Sequence, residues 1–269
     1  MDDDTTNARF EFALELIDEA AALALSFFRR PGALRIASKG RQDMASEADV
    51  STERLIRERL AARFPDDSFL GEETGRIEVA GATGLWVVDP IDGTQPFVCG
   101  LPSWCVSIAY VHDGQVEMGF VKAPVLDELF IGRRGHAATL NGRPISVSDA
   151  SRLDEGIIGT GYSPRIGADD IVPLFDRLLR RGAMFYRDGS GTLDLCYVAC
   201  GRLIGYVEPH IQAWDSLAAV AVLEAAGGLV SDVLSDDAIW EGAPIVAGTP
   251  ALHPLLTELM QESLADASH

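Results

Sequence analysis

Two short acidic runs carry the densest chemistry in this chain: Gly71-Glu72-Glu73 and Asp89-Pro90-Ile91-Asp92-Gly93-Thr94. The second follows the β-prone stretch Leu85-Trp86-Val87-Val88, which predicts that its two aspartates stand at the open end of a buried strand. Pro90 fixes a turn after Asp89, and Gly93 lets the backbone re-enter close to whatever the carboxylates hold. Carboxylates set side by side repel one another unless a cation lies between them. Neither run contains His or Cys, so the expected occupant is a hard divalent cation with oxygen ligands.

The elements that must position these groups are legible from periodicity. Phe10, Leu14, Ile17, Ala21, Leu25 and Phe28 recur at three-and-four spacing, which predicts an amphipathic helix over 8–30, closed by Pro31-Gly32. A second helix is expected over 50–64, with Ile56, Leu60 and Phe64 on one stripe and Asp49 at its N-terminus. The segment between them, including Lys39 and Asp43, reads as a polar loop. Residues 103–125 read as a hairpin turning at Asp113-Gly114, followed by strands over 128–133 and 138–147. Beyond Gly156, strands (157–160, 203–208, 229–233, 245–248) alternate with helices (171–181, 192–201, 215–226 and a closing one after Pro250). Helices first, an antiparallel sheet next and an α/β half last predict an α/β (α+β) layered sandwich of two packed halves. One domain is expected over 8–265, its halves being 8–150 and 151–265. The tails, 1–7 and 265–269, read as polar and mobile.

Composition narrows the function. The chain has 269 residues, 47% of them hydrophobic, enough for a sizeable core. Its net charge of −19 argues against nucleic acid as a partner. No apolar run approaches a membrane span, and the acidic start, Met1 to Asp4, is unlike a secretory leader; a cytoplasmic, membrane-free protein is expected. The four cysteines (99, 105, 196 and 200) lack CxxC spacing and read as reduced, mostly buried thiols. Cys196 and Cys200 share a helix face, a core pair rather than a metal pair.

Taken together, Gly71-Glu72-Glu73, Asp89-Pro-Ile-Asp-Gly-Thr94, Trp214-Asp215 and Glu224-Ala-Ala-Gly-Gly228 resemble the inositol monophosphatase family, in order and at compatible spacing over nearly the whole chain. The resemblance implies a five-layered αβαβα fold and a Mg²⁺-dependent, lithium-sensitive phosphomonoesterase, commonly a homodimer, acting on a small phosphorylated metabolite. Phosphomonoester hydrolysis requires a more acidic nucleophilic water, neutralised phosphoryl charge and help for the leaving alkoxide, and two metal ions can supply all three. Two or three ions are implied. Glu72, Asp89 and the Ile91 carbonyl would hold the first, and Asp89, Asp92 and Asp215 the second. Glu73 would support a third through water; a spare loop carboxylate is the alternative. Asp49 and Thr94, supported by Glu72, would activate the water. The backbone of Gly93 and Thr94, beside Asp92, would receive the phosphate. Gly189-Ser190-Gly191 and Glu208 would meet the leaving group. Lys39 and Asp43 match a charged pair of the family loop, or are a charged loop with no specific role.

The pocket departs from the common text. Gln95-Pro96-Phe97 follows Asp-Gly-Thr where inositol phosphatases carry Thr-Asn-Phe and histidinol-phosphate phosphatases often carry Lys-Ser-Phe. Gly100-Leu101-Pro102 leans toward the histidinol-phosphate type, whereas Glu208 and its spacing to Asp215 follow the inositol type. The expected substrate is therefore inositol 1-phosphate, with histidinol phosphate or another sugar or nucleotide phosphate as the alternative. A non-catalytic regulatory member would have lost a metal ligand, and none is lost. His210 reads as structural.

Overall fold

The computed structural model describes residues 3–30, 36–40, 43–163, 165–235 and 238–267, with side chains described for 5–30, 46–163, 165–235 and 238–266. The chain begins with α1 (Asp3–Phe28), an antiparallel pair β1 (Ile36–Gly40) and β2 (Asp43–Ser46), and α2 (Glu47–Arg63). It continues through β3 (Ser68–Gly71), β4 (Gly75–Ile77), β5 (Gly84–Asp92), the short α3 (Thr94–Val98), β6 (Cys105–His112), β7 (Gln115–Ala123), β8 (Glu128–Arg133), β9 (Thr139–Leu140) and β10 (Arg143–Pro144). The second half comprises β11 (Ile157–Thr160), α4 (Ala168–Arg180), β12 (Met184–Tyr186), α5 (Gly191–Ala199), β13 (Gly205–Ile211), α6 (Leu217–Ala225), β14 (Leu229–Val230), α7 (Ala238–Glu241), β15 (Ala243–Gly248) and α8 (His253–Ala267).

These elements stack as five layers. An eight-stranded sheet, ordered β10-β9-β8-β7-β6-β5-β3-β4, carries α1 and α2 on one face and α6 on the other. A five-stranded sheet, ordered β12-β11-β13-β15-β14, has α5 on its inner side and α4 with α8 on its outer side. Three apolar cores follow from this order: one under α1 and α2, one around α5 and α6 between the sheets, and one beneath α4 and α8. The αβαβα arrangement is therefore as expected. The central layer is unusually close: a Cβ on Gly119 of β7 would lie 2.1 Å from the Ala218 carbonyl, so only glycine admits α6 onto the sheet here. That contact fixes the start of α6, and with it Asp215.

Several boundaries differ from expectation for identifiable reasons. Lys39 and Asp43 lie on the paired strands β1 and β2, not in a loop; their side chains fall outside the described residues, as do Pro31 and Gly32. α2 starts three residues earlier because Ser46 caps it. The Ser46 hydroxyl accepts from the Ala48 N–H at 3.1 Å, and Asp49 Oδ2 accepts from the Ser46 N–H at 2.8 Å, a capping box. Residues 138–147 split into β9 and β10 around Asn141-Gly142, both at positive φ, a second tight hairpin. α1 and α8 extend into the polar segments 3–7 and 265–267 that were expected to be mobile. β3, β4, β12 and α7 were not anticipated; each has four residues or fewer, too short for periodicity to register. Among the cysteines Cys105 and Cys196 are buried and Cys200 partly so, but Cys99 is exposed.

Candidate active site

The site is built where strands break register. β5 does not end at Asp89 as expected but runs to Asp92, with one extra residue between Asp89 (opposite Ser107) and Asp92 (opposite Cys105). Pro90 has no N–H to give the ladder, so the extra residue falls beside it, and the bulge turns the side chains of a single strand. The Asp89 carboxylate closes the bulge by accepting from the Ile91 N–H at 2.8 Å. β13 repeats the device. Glu208 faces Ile245 and Ile211 faces Ala243, with Pro209 in the interval, so Glu208 stands within β13 rather than at its end. Gly93 then reverses the chain at φ +90° and leads into α3, whose first turn holds Pro96. A Cβ at Gly93 would lie 2.7 Å from the Ser103 carbonyl.

Two groups of carboxylates meet here. Asp89, Asp92 and Asp215 each place an oxygen within 4.8 Å of the other two, and so do Asp49, Glu72 and Glu73. Asp89 also feels the Glu72 charge, which joins the groups. Asp215 lies two residues before α6 begins, not at its first residue, so the cap role is not what holds it there. Burial, then the neighbouring charges of Glu72, Asp215 and Asp92, drives the Asp89 carboxyl well above the usual range. Burial and the Asp215 charge push Asp92 up to about 7, although it accepts from the Ser190 hydroxyl and from the Thr192 N–H at 2.9 Å. Asp215 is raised as well, and its relief is a hydrogen bond with Asp89. Clustered buried oxygens with only a proton to share are the donor set of a hard cation, and the residues fit Mg²⁺.

Asp49 and Thr94 face each other: the Thr94 hydroxyl lies 3.4 Å from Asp49 Oδ1 and 3.3 Å from the Ile91 carbonyl. Burial raises Asp49 to about 6, against the hydrogen bonds from Ser46 that favour its charged form. A cavity of about 620 Å³ opens above this floor. Its walls include Glu72, Asp92, Gly93 and Thr94 from the first half of the chain and Gly189, Ser190, Gly191, Glu208 and Asp215 from the second. Asp49 and Asp89, almost fully enclosed, stand behind the wall. Nine of the residues expected from sequence line this cavity, while Asp49, Glu73, Asp89 and Ile91 do not.

Comparison with known proteins fits this geometry. The profile of the inositol monophosphatase family matches residues 7–265. The chain belongs to the inositol monophosphatase family. Among its relatives, this family member is 33% identical over 257 residues to the Nus factor SuhB of Escherichia coli K12, covering 95% of this chain and 96% of that one. It is 35% identical over 235 residues to the inositol-1-monophosphatase of Rhizobium meliloti strain 1021, covering 86% and 88%. The crystal structure of the extragenic suppressor protein SuhB from Bartonella henselae superposes with a TM-score of 0.88 at 30% identity, covering 95% and 99%. The Thermotoga maritima IMPase gives 0.84 at 29% identity, covering 97% and 99%.

Sequence reasoning missed several residues of this family member's site. Glu53, buried in α2, accepts from the Glu73 N–H at 2.7 Å and the Thr74 N–H at 2.6 Å, holding the Glu72-Glu73 segment in place. Its position one helical turn after Asp49 was the available signal. The Tyr206 hydroxyl donates to Glu208 Oε2 at 2.6 Å. Asp188 and Asp194 add two carboxylates to the cavity, Arg165 and Arg187 two guanidiniums. His210 is tied by Nε2 to the Glu241 carbonyl at 3.0 Å, consistent with a structural role, while also reaching the wall.

Proposed function

We propose that this protein is a Mg²⁺-dependent phosphomonoesterase, acting on a small phosphate monoester with inositol 1-phosphate as its reference substrate. The observation that carries the reading is the meeting of two three-carboxylate groups beneath the Gly93-Thr94 turn at the floor of one cavity. Glu72, Asp89 and the Ile91 carbonyl, with Asp92 and Asp215, would hold the ions, and Glu73 would support a further one. Bound there, Mg²⁺ would acidify the attacking water and offset charge on the phosphoryl oxygens and the leaving oxygen.

The chain's own groups then have distinct tasks. The Thr94 hydroxyl lies 3.4 Å from Asp49 Oδ1, so it can take a proton from water while passing its own to Asp49. An Asp49 carboxyl raised to about 6 accepts that proton with little mismatch near neutral pH. Gly93, with no side chain in the way, lets the turn approach the phosphate. Gly189, Ser190 and Gly191 shape the wall that packs on Pro96 and Asp92, and Glu208 accepts hydrogen bonds from the alcohol that leaves. Both halves, 8–150 and 151–265, supply groups, so we take 8–265 as one catalytic unit.

We take the assembly to be a homodimer on the family resemblance, supported by the exposed Met184, Phe185 and Tyr186 on the edge strand β12. No helix among the described residues is long and apolar enough to cross a membrane. The expectation that nucleic acid is not a partner stands on net charge alone, and the name Nus factor among relatives lends it no support. The test is phosphate release from myo-inositol 1-phosphate with and without Mg²⁺. Release that needs the ion and is inhibited by lithium supports the reading; release indifferent to both ions contradicts it.

A further inference from the structure

Arg76 and Trp240 come from different halves of the chain and meet across them. The Arg76 guanidinium lies over the Trp240 indole, 3.7 Å from its centroid, the closest such contact among the described residues. Arg76 stands in β4, the edge strand of the eight-stranded sheet, just after the turn that carries Glu72 and Glu73. Trp240 is on α7, which leads into β15 of the five-stranded sheet. Its indole is packed against the core between the sheets, so the exposed Arg76 side chain meets a fixed partner.

α7 is in turn fastened to the strand that leads to Asp215. His210 Nε2 is hydrogen-bonded to the Glu241 carbonyl at 3.0 Å, where α7 ends. A Cβ on Gly242, at φ +78°, would lie 2.7 Å from the Ile211 carbonyl oxygen and 2.8 Å from the His210 ring. Only glycine lets the end of α7 sit this close to the bulged end of β13. Ala243 then pairs with Ile211, and beyond Ile211 the Asp215 N–H donates to the Gln212 carbonyl at 3.2 Å. A continuous run of contacts thus joins the Glu72-Glu73 turn, through Arg76, Trp240 and His210, to the segment that carries Asp215.

Glu53 and Arg57 hold the same turn from within its own half. Glu53 accepts from the Glu73 and Thr74 N–H groups, and Arg57 donates to the Thr74 hydroxyl at 3.3 Å. Bonds of that kind shape the turn without setting its distance from Asp215. In the absence of a cation the carboxylates of the two groups repel one another. A tie across the halves resists their separation, so an arriving ion spends less of its binding energy drawing its ligands together.

We propose that Arg76 and Trp240 are positioning residues, a latch that sets the spacing of the Glu72-Glu73 turn from Asp215 and thereby the affinity for the divalent cation. This rests on the metal-dependent reading above and adds to it the contact that keeps the two carboxylate groups in register.

The test is Mg²⁺ binding to the full chain by titration calorimetry, beside kinetics on myo-inositol 1-phosphate. Arg76→Ala and Trp240→Ala should each weaken Mg²⁺ binding by about three- to thirtyfold, the span of a cation–π contact from exposed to desolvated. Arg76→Lys and Trp240→Phe, which keep a cation and a ring, should recover most of the loss. The double alanine variant should bind no more weakly than either single one. At saturating Mg²⁺ the KM for the ester should be unchanged. Glu78→Ala, which removes the ion pair of Arg76 with Glu78, should bind Mg²⁺ like wild type. Circular dichroism checks folding, and the exposed Arg76 variants decide the matter if Trp240→Ala does not fold. Wild-type affinity in the alanine variants, or additive losses in the double variant, overturns the latch and leaves the metal site intact. A loss in Glu78→Ala equal to that in Arg76→Ala assigns the effect to the ion pair and overturns the latch too. A wild type that binds no Mg²⁺ overturns the metal-dependent reading, and the latch with it.

Discussion

Asp92 and Thr192 are a hundred residues apart in sequence, and the Thr192 N–H donates to the Asp92 carboxylate at 2.9 Å. One is on the bulged end of β5 and the other in the first turn of α5, so this bond joins the two halves at the carboxylate floor of the cavity. The Ser190 hydroxyl donates to the same carboxylate, and the Thr192 hydroxyl donates to the Asp215 carbonyl at 2.7 Å. The geometry around Asp92 and Asp215 therefore depends on how α5 docks against β5 and β13.

Replacing Asp92 by Asn keeps the shape and the bond from Thr192 but removes a charge from the cluster. Mg²⁺ affinity and kcat/KM should each fall by at least ~100-fold, beyond what outer-sphere changes usually cost. Equilibrium Mg²⁺ titration beside steady-state kinetics checks this, and a variant within tenfold of wild type on both counts would remove Asp92 from the ligand set.

Glu53 offers a subtler probe, because both of its oxygens accept from backbone N–H groups of the Glu73 segment. Glu53→Gln retains one acceptor and turns the other into a donor facing a donor. Mg²⁺ affinity should drop ~10- to 100-fold with the fold preserved. A normal circular dichroism spectrum with an unchanged Mg²⁺ isotherm would show that the segment is held by other means.

For Thr94 and Asp49, the expected loss is in turnover rather than binding. Thr94→Val and Asp49→Asn should each lower kcat by ~10²- to 10⁴-fold, the usual worth of positioned proton transfer, with KM changed far less. A double variant no worse than either single one would place the two in one relay. Full additivity would separate them.

The buried carboxyls make stability depend on pH in a definite direction. Asp49, Asp92, Glu208 and Asp194 titrate at about 6, 7, 8 and 9 in the folded chain, chiefly through burial. Their unfolded values lie near 4, so across the interval the folded state binds more protons and stability falls as pH rises from about 4 to about 9. Mg²⁺ opposes the loss by favouring the ionised ligands at the floor. Melting temperatures between pH 5 and 9 should decline in EDTA and decline less in Mg²⁺; parallel curves in the two buffers would count against metal binding at these carboxylates.

How much was legible depended on what each residue needed. Asp89, Asp92 and Thr94 declared themselves because a Pro, a Gly and two carboxylates in six positions have few other uses. The β6–β7 hairpin was equally plain, since Asp113-Gly114 fits a tight turn at positive φ. The continuation of β5 through Pro90 was hidden, because a bulge exists only relative to the neighbouring strand β6. Glu53 was only half legible: its spacing from Asp49 puts the two on one face of α2, but its role comes from burial and from the Glu73 and Thr74 N–H groups that reach it, which no spacing reports. Short strands such as β3 and β12 are held by their sheets, so their own residues carry little periodic signal.

Metal-dependent phosphoester hydrolysis at the Asp92 floor is open to a direct assay. Phosphate release from myo-inositol 1-phosphate should be measured with Mg²⁺ and with EDTA, for wild type and Asp92→Asn in parallel. Wild type should release phosphate only with Mg²⁺ and lose that activity in EDTA, and the variant should nearly lose it. Equal release by both proteins, or release that persists in EDTA, would contradict metal-dependent hydrolysis at that floor.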